Sequence, residues 1–271
     1  MNKPFLKWAG NKHKILSDIL PHIGSPKRLC EPFGGSLAVS LNVDAGLYVL
    51  SDINRDLMNV YSNVLNLNNE LFLPQCRELF VPSNNQRDVY LRLRENFNNE
   101  TSTLQRSILF LYLNRHCFNG LTRYNKKGKF NVPFGKYDKP SFPLTEIEAF
   151  RTVFSQRDYK LYCSSFEDLR LYDELEANDV VYFDPPYIPL TKTANFTDYS
   201  STGFTIKQHL QLLDLIKILV KRGIKVVVSN SDTEATREIY KNAEVHSVQV
   251  TRTISAKTSS RTKTNELIMV F

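Results

Sequence analysis

Four cysteines in 271 residues, Cys30, Cys76, Cys117 and Cys163, stand more than forty residues apart along the chain. No C-x-x-C pair occurs, so neither a zinc clip nor a disulfide framework is indicated, and reduced, mostly buried thiols are expected. The five histidines, His13, His22, His116, His209 and His246, form no spaced ligand set, and no metal is expected. Long apolar runs are missing too: none approaches the roughly 20 residues that span a bilayer, so no membrane association is expected. Near the start, Pro4, Lys7, Gly10 and Asn11 interrupt any apolar stretch, which argues against a secretory signal and for a cytoplasmic protein. There is no internal repeat and no low-complexity tract. With 42% hydrophobic and 23% charged residues the composition excludes wholesale disorder. The length suits one α/β domain carrying a smaller insert.

The 35 basic against 28 acidic side chains leave a formal charge of +7, which alone favours polyanions only weakly. Its distribution says more. Residues 1–28 hold Lys3, Lys7, Lys12, Lys14, Lys27 and Arg28 against one acid, Asp18. The stretch 115–137 holds Arg115, Arg123, Lys126, Lys127, Lys129 and Lys136 and no acid, as does 252–263 with Arg252, Lys257, Arg261 and Lys263. Any one such segment is ordinarily a solvated loop. In 115–137, however, Phe118, Tyr124, Phe130 and Phe134 are interleaved with the bases, a mixture that suits stacking on nucleobases while neutralising phosphates.

Short apolar runs predict strands at Arg28–Phe33, Tyr48–Asp52, Tyr159–Cys163, Val180–Asp184, Lys225–Asn230, Val245–Val250 and Glu266–Phe271. Helical patterns fall at Lys12–Leu20, Ser36–Asn42 and Gln208–Lys221. Strand–helix alternation at both ends of the chain predicts a doubly wound, mostly parallel α/β sheet. The middle breaks that rhythm with helical patterns at Leu57–Leu67, Arg87–Phe97 and Leu104–Asn114. Residues 57–144 therefore read as a mainly helical insert between sheet segments 1–56 and 145–271.

Ligands of such sheets bind beyond the carboxyl ends of the strands, and the notable residues fall there. Gly34–Gly35 follows the first strand, where it serves a tight turn or the close approach of a ligand. Asp52 ends the next strand at the distance where an acid holds a ribose hydroxyl pair in nucleoside-binding sheets. Asp184-Pro185-Pro186-Tyr187 ends the fourth. A proline pair is an ordinary strand stop, but it also stiffens the backbone. A carboxylate and a carbonyl then point one way beside an aromatic ring, a set that suits an amino group on a planar ring. Asp184 and the Pro185 carbonyl would each accept one N–H, directing the nitrogen lone pair at an electrophile.

In order along nearly the whole chain, Phe5–Lys12, Glu31–Ser36, Ser51–Asn54, Phe110–Arg115, Asn119–Asn125, Phe130–Gly135, Asp184–Tyr187 and Thr193–Thr197 resemble the DNA adenine methylase family, the alpha-ordered N6-adenine methyltransferases. The resemblance implies a seven-stranded S-adenosylmethionine-dependent methyltransferase fold with a target-recognition insert. It also implies transfer of a methyl group to adenine N6 in double-stranded DNA, within GATC, on a flipped base and by a monomer. Residue by residue, it implies that Asp184, Pro185 and Tyr187 are catalytic. It assigns Trp8, Lys12, Phe33, Asp52, Ser165, Phe166 and Asp184 to the cofactor, S-adenosyl-L-methionine, and Lys7, Phe118, Asn119, Leu121, Arg123 and Pro133 to DNA, Arg123 reading a guanine. Gly34-Gly35-Ser36-Leu37 departs from the family's G-x-G, as do Asn11 and Phe118 from its usual glycine and tyrosine. The competing readings are an enzyme of the same chemistry acting on RNA adenine or protein glutamine, and a DNA-binding protein that keeps the fold without catalysis.

Overall fold

The computed structural model describes residues 1–66, 70–188, 204–251 and 263–271. Seven strands form one sheet: β1 (Arg28–Glu31), β2 (Leu47–Ser51), β3 (Asp158–Tyr162), β4 (Val180–Phe183), β5 (Lys225–Ser231), β6 (Glu244–Thr251) and β7 (Lys263–Val270), in the order β3-β2-β1-β4-β5-β7-β6. The first five pair in parallel, and β7 runs antiparallel between β5 and β6. Because β1 neighbours both β2 and β4, the winding reverses there. The carboxyl ends of β1 and β4 thus adjoin at the position where such sheets open a crevice.

The central strands are buried on both sides, and their residues alternate between two cores. Leu29, Val180, Tyr182, Val227 and Ile268 face one, while Cys30, Val181, Phe183, Val226, Val228 and Met269 face the other. The second core is closed by α7 (Ile206–Lys221) through Leu212, Ile216 and Leu219. A reciprocal Thr205–Gln208 capping box starts that helix.

The first core is larger. It holds α1 (Leu16–Ile23) together with the helices between β2 and β3: α2 (Arg55–Leu65), α3 (Phe72–Glu78), α4 (Arg87–Asn99), α5 (Thr103–His116) and α6 (Leu144–Ser155). Helix α5 is buried without a break from Ser107 to Asn114, as expected of a helix packed on every side. Phe110 and Phe130 of this helical region lie in one cluster with Phe5, Leu29 and Tyr48, so its core is continuous with that of the sheet. Asp56 locks it further, accepting from Arg106 Nε at 2.5 Å and Nη2 at 3.0 Å and from the Tyr124 hydroxyl at 2.6 Å.

Two local expectations change. Ser36–Asn42 is not a helix but a bend ending in a short 3-10 turn, Ser40–Asn42. Gly35 (φ +47°) and Leu37 (φ +55°) lie in the left-handed region, which breaks a right-handed helix. The Lys12–Leu20 pattern divides into a 3-10 turn at Lys12–Ile15 followed by α1. Helices α3, α6 and α8 (Glu234–Ile239) lie outside the predicted set. The basic segment from 252 on, apart from Lys263, and the Thr193–Thr197 motif lie outside the described residues.

Candidate active site

At the tip of β4 the backbone leaves the sheet through Pro185 and Pro186, which have no N–H to continue a ladder. Asp184 is held there. Its Oδ2 lies 2.7 Å from Nζ of Lys12, which is only 5% exposed. The same ammonium donates to the Gly10 carbonyl at 2.5 Å and sits 4.7 Å from the centroid of the Tyr187 ring. The other carboxylate oxygen, Oδ1, is buried and has no hydrogen-bond partner. Burial pushes the Asp184 carboxyl up to about 6, against the pull of Lys12, which favours the ionised form.

The segment is pinned from two strands. The Tyr187 hydroxyl donates to Glu266 Oε2 on β7 at 2.8 Å. From β5, Asn230 Oδ1 accepts from Ile188 N at 3.1 Å, and Ser231 Oγ donates to the Ile188 carbonyl at 2.5 Å. Nδ2 of Asn230 is buried without a partner. Asn230, Ser231 and Glu266 are not among the residues that the sequence motifs single out. Their signal was available: polar Ser229-Asn230-Ser231 closes the Val226–Val228 run, and Glu266 precedes the apolar Leu267–Val270.

Across the switch point, Glu31 ends β1 buried, accepting from both the amide and the hydroxyl of Ser40. Burial pushes its carboxyl up to about 8 despite those donors. The turn that follows is closed by the Gly34 amide on the Ser51 carbonyl, 2.7 Å away, and a Cβ at Gly34 would fall 2.8 Å from that oxygen. A Cβ at Gly35 would fall 2.9 Å from the Trp8 indole. The glycine pair thus admits Ser51 and Trp8. Asp52 accepts one backbone N–H on each oxygen, from Gly35 at 2.9 Å and Asn54 at 2.8 Å, and burial raises its pKa. Its orientation is fixed while lone pairs on both oxygens stay available. In the turn after β1, Phe33 stacks on Phe166 at 5.4 Å, with Phe204 edge-on to Phe33 at 5.7 Å. Ser165 lies next to Phe166 in the loop after β3, its hydroxyl 3.3 Å from Glu167.

The family described as D12 class N6 adenine-specific DNA methyltransferase matches this chain over residues 8–254. The DNA adenine methylase of Escherichia coli (strain K12) is 44% identical over 272 residues, spanning 100% of this chain and 95% of that protein. The chain belongs to that methyltransferase family. Proteins of the same name from Serratia marcescens and from Vibrio cholerae O395 are each 43% identical, over 271 and 270 residues, covering 100% and 99% of this chain and 98% and 96% of theirs. A solved rRNA methylase from Streptococcus thermophilus spans 100% of this chain and 97% of its own, at 9% identity and TM-score 0.36, too distant to bear on function. The protein is an adenine-specific DNA methyltransferase, with DNA as substrate and adenine N6 as acceptor. Among the described residues no group of His, Cys, Asp and Glu is arranged to hold a metal ion, and no helix is long and apolar enough to cross a membrane.

In this methyltransferase the remaining sequence-predicted residues gather on the loop between α5 and α6. Cys117 bridges to Phe134 and Tyr124 to Phe130 as antiparallel pairs. Tyr90, Arg94 and Asn98 of α4 anchor it through the carbonyls of Val132 and Phe130. Lys7 joins from the N-terminal segment: its amide and carbonyl pair with the Asn114 side chain at 2.9 and 2.7 Å, and its ammonium lies 4.0 Å over the Tyr137 ring. Burial, with Arg115 nearby, lowers the Lys7 pKa. Gly120 (φ +62°) admits the Lys7 side chain, with which a Cβ there would collide. Asn119 also lies in the left-handed region (φ +55°), in a tight turn that lifts Phe118 out to 45% exposure. The Phe118 amide donates to the carbonyl of exposed Pro133 at 2.8 Å, while Leu121 is half-buried. Exposed Arg123 is oriented by Asn131, with Nε 2.8 Å from Oδ1.

Of the four aromatics interleaved with basic side chains in this loop, three turn toward the protein. Phe130 is 1% exposed, Phe134 is half-buried against the core, and Tyr124 turns its hydroxyl to Asp56. The loop has too little backbone pairing to hold itself and spends those rings on anchoring. Only Phe118 of the four is exposed.

Because the Lys12 charge opposes the effect of burial on Asp184, Lys12→Met should raise the Asp184 pKa above its value near 6. Carboxyl 13C titration of the folded variant checks this. An unchanged or lowered value contradicts the pairing.

Proposed function

We propose that the protein transfers a methyl group directly from S-adenosyl-L-methionine to N6 of a flipped adenine in double-stranded DNA, within GATC. The observation that carries the reading is the Asp184 carboxylate: one oxygen fixed by Lys12, the other buried and unpartnered at the end of a central strand. An acceptor aimed into a buried site is costly unless a donor arrives to meet it, and an exocyclic amine is such a donor.

Asp184 Oδ1 and the Pro185 carbonyl are proposed to take one N–H each, drawing the amine out of conjugation and offsetting the positive charge that develops on nitrogen. Asp184 is not a general base in this scheme, since a neutral amine attacks without prior deprotonation, and the extra proton leaves afterwards to solvent. Tyr187 flanks the flipped base. The residues suit the methyl donor. Asp52, fixed by two backbone amides, is proposed to accept the ribose hydroxyls, and Phe33, Phe166 and Ser165 to border the adenine. Trp8 and Lys12 stand beside the glycine turn and the Asp184 carboxylate. When bound, S-adenosylmethionine supplies an electrophilic methyl group on a sulfonium.

Residues 57–144 are proposed to form the target-recognition unit. A duplex adenine is out of reach of such a site, so the base leaves the stack at a cost of a few kcal/mol. Phe118, exposed on its turn, is proposed to enter the gap. Arg123, held by Asn131, suits the two acceptors on a guanine major-groove edge, and Lys7, Asn119, Leu121 and Pro133 border the same face. The GATC target rests on the resemblance of Asn119–Asn125 and Phe130–Gly135. We further propose that the protein acts as a cytoplasmic monomer.

Asp184→Ala should abolish methyl transfer to a GATC duplex while calorimetry shows S-adenosylmethionine binding largely retained; a fully active variant overturns the assignment. Arg123→Ala should cost about 1–3 kcal/mol of discrimination at one guanine, read as kcat/KM across single-base variants. A uniform loss of affinity with a shallower salt dependence would instead make Arg123 a phosphate contact.

A further inference from the structure

We propose that Glu266 is a positioning residue of the methyl-transfer site, its carboxylate holding the Tyr187 ring, and with it the Asp184–Tyr187 segment, in the reactive setting. The inference rests on the roles proposed above for Asp184 and Tyr187, and goes beyond them by assigning work to a strand far along the chain.

The chain from Asp184 to Ile188 carries two prolines and no strand pairing, so its shape depends on side chains reaching it from elsewhere. Asn230 and Ser231 hold the Ile188 peptide. The Tyr187 side chain is fixed through its hydroxyl, which donates to Glu266 Oε2 at 2.8 Å. Burial holds the Tyr187 pKa well above the ordinary phenol value, so that hydroxyl keeps its proton and remains a donor. Glu266 is a firm post. Its backbone is paired on both sides, with Ser231 of β5 and Val248 of β6. The next three residues, Leu267, Ile268 and Met269, are wholly buried core, so a carboxylate at this point in the strand is out of place on packing grounds. A half-buried charge there is retained at a desolvation cost, and its partner is the aromatic of the catalytic segment.

Glu266 also acts by charge. The groups that face Asp184 are Lys12 and the Tyr187 hydroxyl, which favour its ionised form, and Glu266, whose negative charge disfavours it; Tyr182 and Glu31, whose own carboxyl burial pushes up to about 8, lie nearby. Hydrogen bond and charge are separable, because glutamine accepts the Tyr187 hydroxyl through its amide oxygen without carrying charge.

The test uses the full chain, S-adenosylmethionine and a GATC duplex, with kcat and both KM values measured from roughly pH 5 to 9. Glu266→Ala should lower kcat about 10- to 100-fold through misplacement of the ring, with KM for S-adenosylmethionine little changed. Tyr187→Phe should lose a similar amount, and the double variant no more than either alone. Glu266→Gln should recover most of the lost kcat and move the acid limb of the pH profile to lower pH, since removing the negative charge eases ionisation of Asp184. The inference is overturned by wild-type kcat in Glu266→Ala, by additive losses in the double variant, or by Glu266→Gln no better than alanine. Should Glu266→Ala not fold, Glu266→Gln against Tyr187→Phe decides: a higher kcat with a shifted acid limb supports the role, and equal kcat with an unshifted limb overturns it. An active Asp184→Ala variant would bring down the underlying reading instead, whatever the Glu266 variants do.

Discussion

A carboxylate and an ammonium taken out of water together are expensive, and the Asp184–Lys12 pair is tolerable only because its geometry is tightly specified. The Lys12 ammonium satisfies Asp184 Oδ2, the Gly10 carbonyl and the face of Tyr187 at once. That arrangement leaves Asp184 Oδ1 oriented and unpartnered. The rest of the architecture supplies the rigidity the pair needs. Strand β4 lies in the middle of a parallel sheet with its residues locked alternately into two cores, and the proline pair ends it abruptly. The 3-10 turn that carries Lys12 is capped by Asn11 and packed onto the same core. Loosening any of these would let water or rotation disturb the buried Asp184 Oδ1.

A second constraint ties chemistry to recognition. Trp8 sits against Gly35 in the turn after β1, while its chain neighbour Lys7 fills the space that Gly120 leaves in the loop after α5. One short N-terminal segment therefore touches both the sheet crevice and the loop bearing Phe118 and Arg123. Asp56, just beyond Asp52 and Asn54, holds the same loop through Tyr124. Residues of the helical region and of the sheet share one hydrophobic cluster, so the two are built as a continuous body. That continuity suits the proposed coupling of site reading to base presentation.

Much of this was legible in the sequence, and the reasons are specific. All seven strands fall within three residues of their predicted bounds, because buried central strands read as apolar runs such as Val226–Val228 and Leu267–Val270. The helix over Leu104–Asn114 was visible for its apolar density. The Ser36–Asn42 stretch was misread because its apolar spacing mimics a helix, whereas the Glu31–Ser40 pairing and two left-handed residues impose a bend. The interleaved aromatics of 115–137 carried no sign of which would turn inward. That is decided by Asp56, Asn98 and the core beneath, all distant in sequence. Glu266 and Asn230 escaped notice for the same reason: their meaning arises when β5 and β7 come alongside the end of β4.

The central claim is that the Asp184 carboxylate receives the target amine. A crystal structure of the protein with a GATC duplex and a non-reactive S-adenosylmethionine analogue tests it most directly. The account predicts an extruded adenine whose N6 lies about 2.7–3.2 Å from both Asp184 Oδ1 and the Pro185 carbonyl. An adenine left in the helix, or an amino group bound elsewhere with Asp184 Oδ1 still unpartnered, would contradict it.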